Sequence, residues 1–333
     1  MDFSELSRLA SGHVEARIVQ AAVQLGVFDA LENGPLEPLH IASALHTEAR
    51  ATELLLNSLV AMQLLEKKQN TFSLTPASRT YLVTDRPQSL TGMIRFDASL
   101  WHCWEQLAEA VRSGKPARAP DMYQDDPRET ETFINAMDSL VRARRDSEIV
   151  ATALDWRGVA KLLDIGSGPA TYPIALCRKY PQLRATIFEL PATLDVTRRY
   201  VGAAGMEERI SLLEGDYRTD LIPGHYDLIF LSNIIHGESY DENQRLMAKL
   251  YANLSPGGRL VVKDHVLDTT RTQPAVGALF SLLMLLTTQS GRCYGFDEIK
   301  AWLEKAGFHQ VTQIDLPPPL TSALVIGEKT FVA

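Results

Sequence analysis

The sequence predicts an α/β chain in which a mainly helical N-terminal region precedes a Rossmann-like, doubly wound sheet. Three observations carry this prediction. From residue 159 onward strand-like and helix-like runs alternate, which builds a parallel sheet covered by helices on both faces. The apolar run ending at Ile165 leads into Gly166-Ser167-Gly168-Pro169-Ala170-Thr171 and then a helical pattern. The next strand-like run ends in Glu189, 21 residues past Gly168. Closely spaced glycines let the backbone turn sharply and approach a ligand, and an acid at that distance accepts hydrogen bonds from ribose hydroxyls. Together these form a nucleoside-binding signature.

The elements follow in order. Residues 14–25 carry Ile18, Val19, Ala22 and Leu25 at helical spacing and stop at Gly26. A second amphipathic run, 39–45, passes through His46-Thr47 into a third, 49–62, with Leu55, Leu59 and Met62 on one side. Residues 64–66 and 71–74 flank the polar turn 67–70 and read as a short hairpin. Three helices and a hairpin make a winged-helix pattern over 1–87. A DNA-reading third helix needs basic or amide side chains for the major groove. This one has Glu48, Glu53 and Asn57 against a lone Arg50, with Lys67-Lys68 on the wing, so a helical dimerisation module is the expectation. Residues 88–150 read as a helical bridge, with Trp101, Trp104 and Leu107 on one face and Phe133, Met137 and Leu140 on another. These side chains serve as core or line an apolar acceptor pocket, which gives Trp101 and Met137 as candidate substrate contacts.

The third region, 151–333, holds the predicted strands 161–165, 185–189, 210–214, 226–232 and 259–264, separated by helices at 171–180, 194–204 and 242–254. After a helix at 297–306 come strand-like runs at 309–316 and 322–328, with only Pro317-Pro318-Pro319-Leu320-Thr321 between them. That bend is too short for a crossover helix, so the last two strands must pair antiparallel. A nicotinamide domain would add another parallel unit, whereas this ending fits the sheet of S-adenosylmethionine-dependent methyltransferases.

Composition narrows the partners. The 333 residues, 45% of them hydrophobic, can bury more than one core. A net charge of −8 argues against nucleic acid or an anionic membrane surface. The first residues, Met1-Asp2-Phe3-Ser4-Glu5, lack a basic n-region, and the longest apolar stretch, 276–286, falls short of the roughly 20 residues of a membrane span. Cys103, Cys177 and Cys293 are odd in number and widely spaced, which fits free thiols in a reducing cytoplasm and no metal site.

Four features select S-adenosylmethionine over a dinucleotide. Thr171 stands where a dinucleotide fingerprint wants a third glycine or alanine. Asp164 precedes the glycines, within reach of a ligand ammonium. Gly215-Asp216-Tyr217 follows the third strand, where an acid meets the adenine amino group and an aromatic covers its face. Ser255-Pro256-Gly257-Gly258 turns tightly into the fifth strand. His236, closing Phe230-Leu231-Ser232-Asn233-Ile234-Ile235-His236, sits at the carboxyl edge of the sheet, where ligands bind. A phenol with a pKa near 10 is a poor nucleophile at neutral pH unless a base takes its proton, and His236 is the candidate base.

On segments 162–171, 215–216, 231–236 with Glu242-Asn243, 254–264 and 291–308, the chain resembles the class I O-methyltransferases of the acetylserotonin, plant caffeate and bacterial antibiotic type. The resemblance spans nearly the whole chain. It implies a winged-helix dimerisation domain, a homodimer, and a catalytic domain that uses S-adenosylmethionine on a small aromatic or polyketide-like acceptor. It also implies cofactor contacts at Gly166, Glu189, Asp216 and Tyr217, with Ser232 near the methionine end. Gly168, Leu190, Gly215 and Asn233, adjacent to these, complete the candidate cofactor set with Asp164. The family's catalytic histidine falls on His236, and Asp264 matches an acid that orients it.

Two departures stand out. Plant enzymes follow the histidine with Asp-Trp-Ser-Asp, where this chain has Gly237-Glu238-Ser239-Tyr240-Asp241, and Cys293 takes the place of a second supporting glutamate. A base so placed is expected to be weaker or differently oriented. Methylation at carbon or nitrogen stays open because acceptor choice depends on pocket shape, and the changes at Gly237 and Cys293 leave open use of the cofactor without transfer. His265 is a rival base, which strand alternation sends to the opposite face. Arg292 and Tyr294 either contact a polar acceptor or serve only the loop that carries them.

Overall fold

The computed structural model describes residues 1–330, which form two compact units: 1–101 with 135–143, and 102–134 with 144 onward. The first unit begins with a helix that the periodicity does not reveal, Phe3–Ala10. It is capped reciprocally by Asp2 and Glu5 and buries none of its residues. The three predicted helices follow as Gly12–Leu25, Pro38–Leu45 and Ala49–Ala61, and then β1 (Leu65–Lys68) and β2 (Thr71–Leu74) pair antiparallel. Their apolar faces converge on Phe28, Leu31, Ile41, Leu56, Leu59 and Phe72, all essentially inaccessible to solvent. The wing cation Lys67 packs back on the third helix, donating to Asn57 Oδ1 at 2.8 Å and lying 3.8 Å from Glu53.

Between 88 and 150 the chain forms Thr91–Ser99, Trp101–Glu105, Leu107–Ser113 and Pro127–Arg144, with Asp146–Ala153 beyond. Trp104 is 38% exposed and does not join a core. The expected aromatic face fails because the helix ends at Glu105 and restarts at Leu107, so residues 101, 104 and 107 share no continuous helix.

The second unit is built on seven strands: β3 (Lys161–Ile165), β4 (Arg184–Glu189), β5 (Ile210–Glu214), β6 (Tyr226–Ser232), β7 (Leu254–Asp264), β8 (His309–Asp315) and β9 (Ala323–Glu328). They lie in the order β5-β4-β3-β6-β7-β9-β8. The first five pair in parallel, and β9 is antiparallel to both β7 and β8. The fold class read from the sequence is therefore the observed one, down to the antiparallel closing hairpin. β7 starts five residues earlier than expected. Leu254 already pairs with Tyr226, and a register irregularity between Tyr226 and Leu228 absorbs the Pro256-Gly257-Gly258 bend. The central strands are apolar on both faces, as strands sandwiched between helices must be. Among the described residues no helix is long and apolar enough to cross a membrane.

Because β6 is central and Ile229 is fully buried, Ile229→Ala removes packed atoms that the neighbouring strands cannot replace. The expected cost is about 2–5 kcal/mol of stability, measured as a lowered urea midpoint.

Candidate active site

The carboxyl ends of β3, β4, β5, β6 and β7 carry the site. After β3 the chain turns through Gly166 (φ 63°) and Gly168 (φ 57°), both left-handed, into the helix Thr171–Lys179. A Cβ on Gly166 would lie 2.4 Å from Ile234 Cδ1 and would have to hold a left-handed backbone, so a larger residue there strains the turn and displaces Ile234. Glu189, at the end of β4, holds this loop: its Oε2 accepts from Gly168 N at 2.9 Å and its Oε1 from Leu190 N at 2.8 Å. Thr197, on the helix Pro191–Ala203, closes the other side by donating to Gly168 O at 2.6 Å. Asp164 is buried beneath the loop, and its Oδ2 accepts from Ser167 Oγ at 2.6 Å.

Asp164 and Glu189 share an electrostatic predicament. Burial pushes the Asp164 carboxyl up to about 7, with the Glu189 charge adding to the effect, and burial pushes Glu189 up to about 6. Among the described residues neither has a cationic side chain as partner. Two buried, cation-starved acids beside a tight glycine turn suit a ligand that brings its own positive charge and hydroxyl donors.

The loop after β5 is tied to the same region. Gly215 N donates to Glu189 O at 3.0 Å, and a Cβ there would meet Phe188 Cζ at 2.3 Å. Asp216 is already engaged, its carboxylate taking a forked ion pair from Arg218 (Nη2 at 2.9 Å) and the Arg218 backbone N–H. Burial would raise this carboxyl, but the Arg218 bonds hold it below the usual range. Tyr217, expected as a ring over adenine, is buried in the apolar cluster of Leu231, Ile235 and Met247, and its hydroxyl donates to Glu238 Oε1 at 2.6 Å.

β6 ends at Ser232, level with Lys263 of β7. Asn233 (φ 57°) then donates its N–H to Lys263 O at 2.8 Å and sends the chain into the 3₁₀ turn Ile235–Gly237. The turn brings His236 Nδ1 to 2.9 and 3.0 Å from the two oxygens of Asp264, the last residue of β7. An ionised carboxylate can only accept, so Nδ1 carries the proton and Nε2 is the basic atom. Asp264 is fully buried, which would raise it, but the imidazole of His236, its hydrogen bond and the nearby His265 hold it below the ordinary range. Phe280, from the helix Ala275–Thr287, meets the His236 ring edge-on with centroids 4.8 Å apart. Gly291 lies so close behind the turn that a Cβ would sit 2.2 Å from His236 O.

His265 does not follow the alternation argument. β7 stops at Asp264, and the His265 ring lies 5.3 Å from Phe280, the ring that also contacts His236. Its Nδ1 is committed to Thr321 O at 3.0 Å, and burial lowers its affinity for a proton. The Cys293 thiol is buried and pushed up to about 12 by burial and the Asp264 charge, so it adds no second carboxylate-like partner. The four candidate acceptor residues divide between the units, with Trp101 and Met137 in the first and Arg292 and Tyr294 in the second. Trp101 donates from Nε1 to Gln20 Oε1, and Met137 is half-buried. Arg292 pairs with Glu298 at 2.7 Å and stacks on Tyr294, while the Tyr294 hydroxyl donates to Glu238 O at 2.6 Å. Both make the loop contacts that were one of the two roles left open for them. Sequence reasoning missed Phe280, whose apolar run it weighed only as a membrane span. It also missed Thr197, a hydroxyl at helical spacing from Leu194 and Val201.

Comparison with known proteins gives the arrangement its context. Residues 104–309 match the O-methyltransferase domain and residues 7–84 the O-methyltransferase dimerisation domain. The chain belongs to the O-methyltransferase family. It is 30% identical over 332 residues to the 3-hydroxy-5-methyl-1-naphthoate 3-O-methyltransferase of Streptomyces sahachiroi, covering 97% of this chain and 94% of that one. It is 28% identical to the L-tyrosine C(3)-methyltransferase of Streptomyces lavendulae, over 99% and 93% of the two chains. The solved structure of human N-acetylserotonin methyltransferase with S-adenosylmethionine superposes with a TM-score of 0.90 at 26% identity, covering 99% of each chain. This O-methyltransferase relative is thus an S-adenosylmethionine-dependent methyltransferase, as the sequence resemblance implied. Its buried acids fit that cofactor, which is cationic and carries ribose hydroxyls.

The pH response follows from the two raised carboxyls. Between about pH 4, where unfolded acids ionise, and about 7, the native state holds more protons than the unfolded chain, so stability without cofactor falls as pH rises. A bound cation favours the ionised acids instead. Cofactor binding is therefore expected to release protons near pH 6 to 7 and to weaken on acidification through that window. Calorimetry in two buffers of different ionisation enthalpy measures both effects, and a buffer-independent heat with constant affinity would count against the assignment.

Proposed function

We propose that this enzyme transfers the methyl group to a hydroxyl of a small aromatic or polyketide-like acceptor, with His236 as general base and Asp264 as the group that orients it. The observation that carries this reading is the His236–Asp264 pair. One carboxylate grips Nδ1 through both oxygens at the carboxyl edge of the sheet and leaves Nε2 as the only basic atom of the ring. When bound, S-adenosylmethionine would supply the methyl electrophile, its sulfur keeping the bonding pair and leaving as the neutral thioether. The protein's share is alignment and proton removal. His236 Nε2 takes the hydroxyl proton as the oxygen–carbon bond forms, and the Asp264 charge balances the imidazolium that results. Phe280 covers one side of the ring and limits water there.

In the same reading Asp164 meets the cofactor's positive charge and Glu189 its ribose hydroxyls, while Gly166, Gly168, Leu190 and Gly215 present backbone. Asp216, Ser232 and Asn233 border the cleft at the ends of β5 and β6. The region 1–87 acts as a dimerisation module and the protein as a homodimer, supported by the matching dimerisation domain. Methylation at a ring carbon is the second reading, favoured by likeness to the tyrosine C(3)-methyltransferase. The same base serves it, because an ionised phenol is nucleophilic at its ortho carbon as well.

His236→Ala is expected to lower methyl transfer by roughly 100-fold or more while cofactor affinity holds, and Asp264→Asn to act in the same direction by favouring the wrong tautomer. The measurement is turnover across a panel of phenols and naphthols, with mass spectrometry locating the methyl group. Undiminished turnover in His236→Ala would remove it as the base, and a carbon-bound methyl would select the second reading.

A further inference from the structure

The turn that carries His236 is held from behind by side chains that take no part in the proton transfer. Asn243 Nδ2 donates to Ile235 O at 2.8 Å and to Glu238 O at 3.4 Å, and the Tyr294 hydroxyl donates to Glu238 O at 2.6 Å. These bonds satisfy the backbone of the turn. They leave unexplained why residue 238 is a glutamate that is 5% exposed. A buried carboxylate is costly unless something specific compensates it. Here the compensation is the Tyr217 hydroxyl, donated to Glu238 Oε1 at 2.6 Å from the loop that follows β5. The bond therefore spans two loops of the carboxyl edge, one bearing Gly215 and Asp216 and the other bearing His236.

We propose that Glu238 and Tyr217 are positioning residues, whose hydrogen bond fixes the His236 turn against the loop after β5 and so keeps the imidazole on Asp264. The geometry explains why both ends matter. Glu238 lies two residues past His236 and just beyond the 3₁₀ turn, so a sideways shift of its side chain moves the turn as a lever. Gly291 packs against the same turn, close enough that a Cβ there would lie 2.2 Å from the His236 carbonyl oxygen. The inference rests on the reading of His236 as base, and its test separates the two.

The full-length protein is labelled with ¹⁵N-histidine, and the Nδ1 proton resonance is assigned by its loss in His236→Ala. In Glu238→Ala that proton is expected to exchange with water at least about 10-fold faster than in the unaltered protein, and Tyr217→Phe to move it in the same direction. Glu238→Gln, which can still accept the tyrosine proton, is expected to stay within about threefold of the unaltered rate. The double variant Tyr217→Phe with Glu238→Ala exchanges no faster than Glu238→Ala alone, because both remove one bond. Far-UV circular dichroism and a cooperative thermal transition show that each variant is folded, and should Glu238→Ala fail this check, Tyr217→Phe decides. Unaltered exchange in folded Glu238→Ala and Tyr217→Phe overturns the proposal. Should His236→Ala keep its methyl transfer, the reading of the base fails instead, whatever the exchange rates.

Discussion

The pairing register of β6 and β7 is the constraint on which the catalytic end depends. Ser232 lies opposite Lys263, and the Asn233 N–H extends the ladder by one more bond to the Lys263 carbonyl before the chain leaves the sheet. β6 therefore stops just short of Asp264, and the left-handed Asn233 folds the following turn back over it. A slip of one residue would exchange Lys263 and Asp264 between the faces of the sheet. The carboxylate would then meet the surroundings of the buried Lys263–Asp146 pair and not His236. The register and the imidazole support each other, since Asp264 tolerates its burial as an anion only with a donor of this kind at hand.

Charge is divided unevenly along the cleft. Asp164, Glu189 and Asp264 are all buried at strand ends or beside them, yet the first two are raised and the third is lowered. Burial acts on all three in the same direction, so the difference lies in their partners. Asp264 has two imidazoles and a backbone N–H within reach, whereas Asp164 and Glu189 have a serine hydroxyl and two backbone amides. In the proposed reading, the acid that orients the base is satisfied and the acids that meet the cofactor are not. On that reading a cationic cofactor gains most where Asp164 and Glu189 lie, while the His236–Asp264 pair is already formed.

What the sequence made legible follows the same division. Gly166, Gly168, Glu189, Ser232, His236 and Asp264 sit where apolar runs stop, and strand ends are visible as breaks in hydrophobic patterning. The antiparallel ending was equally plain, because five residues between two strands leave room for one topology only. The roles of Tyr217, Tyr294 and Arg292 were not legible. Each makes its defining contact with a residue from another part of the chain or with the far side of its own loop, and no local spacing encodes that pairing. Tyr217 has the residue type expected over an adenine ring, and its hydroxyl also donates to Glu238, a contact no local spacing foretells. His265 misled for a related reason: alternation holds only while the strand lasts, and β7 ends one residue before it.

A base and its orienting acid settle where the acceptor's proton goes, but not which acceptor atom takes the methyl group. That choice depends on which nucleophilic atom lies in line with the sulfur–carbon bond, and a displacement of about 1 Å is enough to change the rate by about 100-fold. The His236 turn is therefore as much a ruler as a chemical group. It is braced by Asn243 and Tyr294 through the backbone, by Tyr217 through Glu238, and by the missing Cβ of Gly291. Relatives named for oxygen and for carbon methylation both match this chain over nearly all of its length, so membership of the family does not distinguish the two outcomes. The distinction belongs to how rigidly the imidazole is held and how the acceptor is seated against it. In the proposed reading the turn is braced by side chains set apart from the proton transfer itself.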